Sequence, residues 1–268
     1  MTDLKRYGEW ALITGASSGI GKAFARAIAA QGVNCVLTAR RAELLEDLAQ
    51  ELEAAHGIAC RCVVEDLADP EAACRVADAV SGLELGLLVN NAGIGYASRF
   101  ETGELQRMAN MINLNCLTPA LLTRLLIPKM LERGRGAVIM VASVLGVVPA
   151  PYESAYGATK AFDLALAEGL FGEYERTGID VIALCPSTTR TEFFAAGGMS
   201  EVRANKVAAR GDRPEDVAAL ALRYLGRRPR VGPWSYAGPA LLARLLPRKW
   251  TARLVRRVLA SYLEEDAG

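Results

Sequence analysis

Residues 10–21 read Trp10-Ala11-Leu12-Ile13-Thr14-Gly15-Ala16-Ser17-Ser18-Gly19-Ile20-Gly21. A short apolar run ends at Thr14, and three glycines follow within seven residues. The run reads as a strand, the glycines as a tight turn, and residues 21–31 as the helix that follows. Glycine lets the backbone turn sharply and approach a pyrophosphate with no Cβ in the way. A helix N-terminus adds free N–H groups and the positive end of the helix dipole. The turn alone is weak evidence, because Gly-x-x-x-Gly-x-Gly is not the commoner Gly-x-Gly-x-x-Gly fingerprint.

Outward from this turn the pattern repeats. Apolar runs at 34–39, 59–64, 85–89, 137–142 and 179–184 read as further strands. Between them lie helix-period segments at 43–55, from Asp69-Pro70-Glu71 to about 80, at 105–132 and at 155–177. Asp69 reads as an N-cap with Pro70 at the first helical position. Pro119 and Pro128 read as kinks or boundaries in the long third segment. Strands alternating with crossover helices predict an α/β fold: a doubly wound parallel sheet, with helices on both faces, in one domain over residues 1–268. Residues 191–213, with Gly197-Gly198, read as a loop or short lid over the substrate. Residues 232–268 form a C-terminal extension that ends in a helix at about 249–263.

Composition narrows the function. The chain has 268 residues, 51% hydrophobic and 23% charged, enough for a full core without a disulfide or metal staple. Its net charge of +1 gives no pull toward nucleic acid. The six cysteines have no CxxC spacing and read as reduced thiols of a cytoplasmic protein. Residues 1–9 lack a signal peptide's apolar stretch, and no apolar run reaches the roughly 18 residues of a transmembrane helix. His56 is the only histidine, which speaks against a Ser-His-Asp triad or a His-rich zinc site.

Tyr156 and Lys160 are four residues apart on a helix and share a face. A neighbouring ammonium favours the phenolate and suits a tyrosine to proton transfer. Ser143 ends a strand, at the edge where open α/β sheets bind ligands. The adenosine ribose would lie beyond the second strand, where Ala39 is followed by Arg40 and Arg41. With no acid there and two guanidiniums, NADP(H) is the expected cofactor, and Ser17 would join Arg41 on its 2′-phosphate.

Three motifs then carry a resemblance. Thr14 to Gly21, Asn90-Asn91-Ala92-Gly93 after the fourth strand, and Tyr156-Gly157-Ala158-Thr159-Lys160 stand in the order and spacing of the short-chain dehydrogenase/reductase family, over roughly residues 8–195. The resemblance implies an oxidoreductase that interconverts a carbonyl compound and an alcohol by pro-S hydride transfer, working as a homodimer or homotetramer. Its catalytic positions correspond to Asn115, Ser143, Tyr156 and Lys160. Asn113 is a rival to Asn115, set apart by its direction on the helix. The cofactor would contact Gly15, Ser17, Ser18, Gly19, Ile20 and Gly21 in the turn, with Asn91, Ala92 and Gly93 near the ribose. Asp66 with Leu67 would touch the adenine; the alternative is a turn-forming aspartate. Pro186, Thr188 and Thr191 would hold the carboxamide, in a segment where Ser187 stands for the family's usual Gly.

Apolar residues dominate the expected pocket wall, with Val148, Tyr152, Phe193 and Phe194 as candidate substrate contacts beside Ser143. They suggest a bulky apolar carbonyl compound. Two other readings stand beside this one: a 3-ketoacyl reductase acting on a carrier- or coenzyme A-linked substrate, and a non-catalytic NADP(H)-binding sensor. Residues 244–257 hold six basic side chains and no acid, on an amphipathic segment spanning about 240–263. A helix packed on the domain is expected there, with peripheral contact to an anionic membrane as the alternative.

Overall fold

The computed structural model describes residues 3–264. Among them, β1 (Trp10–Thr14), β2 (Asn34–Ala39), β3 (Cys60–Val64), β4 (Leu85–Asn90), β5 (Gly136–Val141), β6 (Ile179–Leu184) and the two-residue β7 (Arg230–Val231) form one sheet in the order β3-β2-β1-β4-β5-β6-β7. Every pairing is parallel. The order reverses between β1 and β4, which opens a crevice at the carboxyl ends of those strands. A parallel sheet is covered on both faces, so its central strands are apolar throughout. All of β4 and β5 is buried.

One face carries α1 (Gly19–Ala29), α2 (Ala42–His56) and α9 (Pro214–Tyr224), whose Phe24, Ile28, Leu45, Leu52 and Val217 pack on it. The other carries α3 (Ala72–Ala79), α5 (Thr118–Glu132) and α6 (Ser154–Glu173), through Val76, Leu122, Leu126, Met130 and Leu164. Gly57 ends α2 in the left-handed region at φ 62°, a glycine C-cap. Gly15 and Gly19 take φ 66° and 54° in the turn after β1. A Cβ on Gly21 would stand 2.2 Å from the Gly15 carbonyl oxygen, so close packing fixes glycine there.

The fold departs from the sequence expectation in several places. Helix α1 starts at Gly19, two residues earlier than its period indicates. Asp69 is not the N-cap of α3: its Oδ1 accepts the Glu71 N–H at 2.9 Å in a turn, and the helix begins at Ala72. Residues 105–132 are interrupted neither at Pro119 nor at Pro128. A π turn at Asn113–Leu117 separates α4 (Leu105–Ile112) from α5, Pro119 sits in the first turn of α5, and α5 runs on through Pro128. This run, Leu105–Glu132, is long and apolar enough to cross a membrane by length and composition. Its Leu122, Leu126, Ile127 and Met130 lie in the core beneath the sheet. Residues 191–213 hold two short helices, α7 (Phe193–Ala196) and α8 (Glu201–Ala209).

The C-terminal extension holds α10 (Trp234–Leu245) and α11 (Arg248–Glu264). The expected packing of its apolar face on the domain forms only in part. Trp234 is 91% exposed, and Leu241, Leu245, Trp250 and Leu254 are exposed too. Helix α11 instead buries Thr251 and Leu259, and Arg248 bonds the Val147 carbonyl at 3.1 Å. Trp250 and Leu254 stand one turn apart, off the side that Thr251 takes inward. Residues 265–268, and the side chains at 242, 244 and 261–264, lie outside the described residues.

Two glycines give opposite predictions. Gly21→Ala should lower the unfolding free energy by roughly 1–3 kcal/mol through overpacking. Gly169→Ala, at an exposed position on α6 with nothing within 4 Å of the new methyl, should raise it by about 0.5–1 kcal/mol. Urea unfolding of both variants beside wild type checks the pair.

Candidate active site

The glycine turn is fastened to its neighbours by Thr14. Its buried hydroxyl accepts the N–H groups of Asn91 at 2.8 Å and Ala92 at 2.9 Å, and donates to the Val89 carbonyl at 3.2 Å. The Asn91 amide donates back to the Thr14 carbonyl at 2.8 Å. The Gly15 N–H donates to Thr38 at the end of β2, also at 2.8 Å. The turn therefore sits at the crevice, held by the ends of three strands. Ser18 precedes α1 without a side-chain cap, and the first turn of α1 holds no acid. Its N–H groups and positive dipole end stay available to an anion.

Arg41 and Ser17 meet beside this turn. The guanidinium donates to Ser17 Oγ from Nη2 at 3.1 Å and pairs with Glu192 at 3.1 Å. Arg40 is exposed, and Ala39 is buried with no acid in its place. The chemistry of this donor set fits a dinucleotide with a 2′-phosphate. The Asp66 carboxylate accepts the Ala68 N–H at 3.1 Å, so it does form a turn. Leu67 is buried, and its carbonyl accepts from Thr118 at 2.7 Å. Thr191 lies against the turn, its methyl 2.8 Å from where a Cβ on Gly19 would stand. Pro186 is buried, and the Thr188 carbonyl accepts the Asp212 N–H at 2.9 Å. Ser187, in place of Gly, needs no left-handed backbone; its hydroxyl bonds Asp212 at 3.1 Å and Ser235 at 2.6 Å.

The four candidate catalytic residues gather at the carboxyl edge of β4 and β5. The π turn carries Asn115 inward to full burial, while Asn113 stays partly exposed. Asn115 Nδ2 donates to the Ile94 carbonyl at 2.8 Å and Thr159 Oγ1 at 3.0 Å, and Oδ1 accepts the Ile94 N–H at 3.0 Å. Ser143, just past β5, accepts from the Leu145 N–H at 3.2 Å. Tyr156 is buried on α6, its ring 5.6 Å from that of Phe193, which meets Phe194 edge-on at 5.7 Å. Lys160 Nζ donates to the Val141 carbonyl at 2.8 Å and to Asp163 Oδ2 at 3.0 Å. A Cβ on Gly93 would come within 3.4 Å of that ammonium, so this glycine lets the loop pass close.

The charges act on one another. Burial raises the Tyr156 pKa; the Lys160 ammonium and the Ser143 hydroxyl pull it down, while Glu153 and Asp163 push it up. Burial works against the Lys160 ammonium, but Asp163 and Tyr156 outweigh it, and its pKa lies above the ordinary lysine value. Burial raises Asp163, with Lys160 holding it back. Burial pushes the Glu153 carboxyl up to about 7.

A cleft beside Tyr156 is lined by Tyr96, Met108, Met111, Tyr152 and Glu153 among others. Of the candidate substrate residues, Tyr152 borders it, at a strained φ of 70°. Val148 is buried and, with Phe193 and Phe194, is not among its lining; Phe193 instead packs on the Tyr156 ring. The sequence reading did not single out Tyr96, Glu153 or Asp163. Only Asp163 left a trace there, as an acid one helical turn past Lys160. Among the described residues no group of three or more His, Cys, Asp or Glu side chains could hold a metal.

Redox chemistry at a carbonyl carbon needs a dinucleotide along the crevice and a proton donor beside it. This fold provides a place for each. The short chain dehydrogenase model matches residues 9–200, and the chain belongs to that family. It is 35% identical over 200 residues to the very-long-chain 3-oxoacyl-CoA reductase of Anas platyrhynchos, across 73% of this chain and 62% of that one. The chain thus spans less than two thirds of that relative's length. Among solved structures, a 7β-hydroxysteroid dehydrogenase superposes at a TM-score of 0.86, with 30% identity, over 95% of this chain and 99% of the other. A short-chain dehydrogenase from Sphingobium yanoikuyae in complex with NADPH superposes at 0.77, with 30% identity and 94% of each chain covered.

Glu153 gives a pH prediction. Its folded pKa lies above the ordinary 4.5, so the stability it permits is full below that value and falls as pH rises toward 7. Glu153→Gln should match wild type in thermal melting at pH 4 and exceed it at pH 8, by on the order of 1–2 kcal/mol given its partial exposure.

Proposed function

We propose that this oxidoreductase is an NADP(H)-dependent carbonyl reductase with Tyr156 as its general acid and base. The observation that carries the reading is the buried Lys160 ammonium one helical turn from a buried Tyr156. Bound NADP(H) supplies or accepts the hydride. The glycine turn and the N-terminus of α1 would hold the diphosphate. Arg41 with Ser17 would hold the 2′-phosphate, after exchanging an exposed ion pair with Glu192 that is worth little. Asn91, Ala92 and Gly93 would flank the ribose, Lys160 would bond its hydroxyls, and Thr188 and Thr191 would fix the carboxamide.

Ser143 would orient the substrate oxygen. Tyr156 gives its proton to that oxygen on reduction and takes one from the alcohol on oxidation. Asn115 would anchor a water that links Lys160 to solvent. With all four residues in place, chemistry is favoured over a non-catalytic sensor. The aromatic and methionine side chains along the cleft, among them Tyr96, Met108, Met111 and Tyr152, favour a carbonyl substrate with an apolar part. The likeness to a 3-oxoacyl-CoA reductase supports a second reading, in which that substrate is a 3-ketoacyl thioester, free or carrier-linked. We place the protein in the cytoplasm on its six free thiols, and as a homodimer or homotetramer whose partner covers exposed apolar residues such as Leu105, Leu125 and Trp234.

The test follows NADPH absorbance with acetophenone, cyclohexanone, a steroid ketone and a 3-oxoacyl-CoA. Wild type should reduce at least one, and Tyr156→Phe should lose 10²-fold or more of that rate, the order of one acid–base contribution. Arg41→Ala should raise the KM for NADPH by about 10- to 100-fold and leave that for NADH unchanged. Full activity in Tyr156→Phe contradicts the proposed role.

A further inference from the structure

The roles above leave a buried acid unexplained. Asp163 lies one turn beyond Lys160 on α6 and is 3% exposed. Its Oδ2 accepts from the Lys160 ammonium, and its Oδ1 is buried with no partner. An incompletely bonded carboxylate in the interior costs stability that an apolar side chain would not. What it contributes is therefore sought in its charge. Tyr156, Lys160 and Asp163 recur at helical spacing and form one stripe along α6, with Glu153 at its N-cap. The other groups facing this stripe are few. The π turn brings Asn115 and Cys116, β5 the Val141 carbonyl with the Ser143 hydroxyl just past it, and the end of β6 Cys185, behind which Arg230 of β7 is paired with Glu168 at 3.2 Å. Asp163 is thus the acid in direct contact with the catalytic ammonium.

We propose that Asp163 is a positioning residue for the proton transfer: it clamps the Lys160 ammonium against the Val141 carbonyl and offsets that ammonium's pull on Tyr156, so that the tyrosine keeps its proton and the site is set toward carbonyl reduction. The inference rests on the reading that Tyr156 carries the proton. Tyr156 and Lys160 titrate as one unit, and the relevant pH is that at which the pair loses its first proton. A carboxylate beside the pair opposes this loss whichever group gives up the proton. Neutralising it lowers that pH. Alcohol oxidation needs the deprotonated pair, so its acid limb moves down; reduction needs the proton, so its alkaline limb moves down with it.

The experiment records kcat against pH for NADP⁺-dependent oxidation of the alcohol matching whichever panel ketone wild type reduces. Asp163→Asn should shift the acid limb down by about one pH unit. Asp163→Glu, which keeps the charge, should return it toward wild type. A limb unmoved in Asp163→Asn overturns the proposal. Asp163→Thr is measured in parallel, so that if the amide variant fails to fold, an unmoved limb in the threonine variant overturns it equally. Tyr156→Phe runs beside them: full turnover there overturns the underlying role of Tyr156, an outcome distinct from an active, unshifted Asp163→Asn.

Discussion

A lysine ammonium left 4% exposed must be paid for by its surroundings, and the site is arranged around that one buried charge. The carbonyl at the end of β5 and the Asp163 carboxylate give it hydrogen bonds, and Tyr156 stands one turn away. Those partners come from a strand end and from one helix face, so the charge is satisfied only when α6 lies in one register against β5. The same contacts put Tyr156 beside Ser143. Packing and chemistry are here one requirement.

A second set of bonds fixes where the dinucleotide would lie relative to that charge. Thr14 ties the glycine turn to the loop after β4, and the same loop is gripped at Ile94 by Asn115. A chain of hydrogen bonds thus runs from the turn after β1, through the loop after β4, to the π turn and on to Thr159 on α6. It crosses the point where the strand order reverses. Displacing any link would move the glycine turn relative to Tyr156, and the proposed hydride transfer would tolerate such misplacement poorly.

Much of this was legible in the chain. The turn between β1 and α1, the first six strands and the Tyr156–Lys160 pair are local patterns, whereas Asn115 was implied only by the resemblance to the short-chain dehydrogenase/reductase family. Other features depend on what the chain does not encode locally. The π turn at Asn113–Leu117 is a shift of backbone bonding that no residue preference announces, and the two prolines drew attention to the wrong positions. Strand β7 is too short to have a period. Helical spacing places Asp163 beside Lys160, yet spacing cannot distinguish a buried acid from a solvated one. The contact of Arg41 with Ser17 joins residues from two different turns. In the C-terminal helices the apolar period was visible, but not that Trp250, Leu254 and Val258 would face outward while Leu259 turns in.

Under the proposed function, a bound nicotinamide would give its hydride directly to the carbonyl carbon, with the segment from Pro186 to Thr191 fixing which face it presents. Mass spectrometry of the alcohol formed with NADPH deuterated at the 4-pro-S position, and separately at the 4-pro-R position, tests it most directly. The account predicts deuterium at the carbinol carbon from the pro-S cofactor and none from the pro-R. Label released to water, or delivered from the pro-R position, would contradict it.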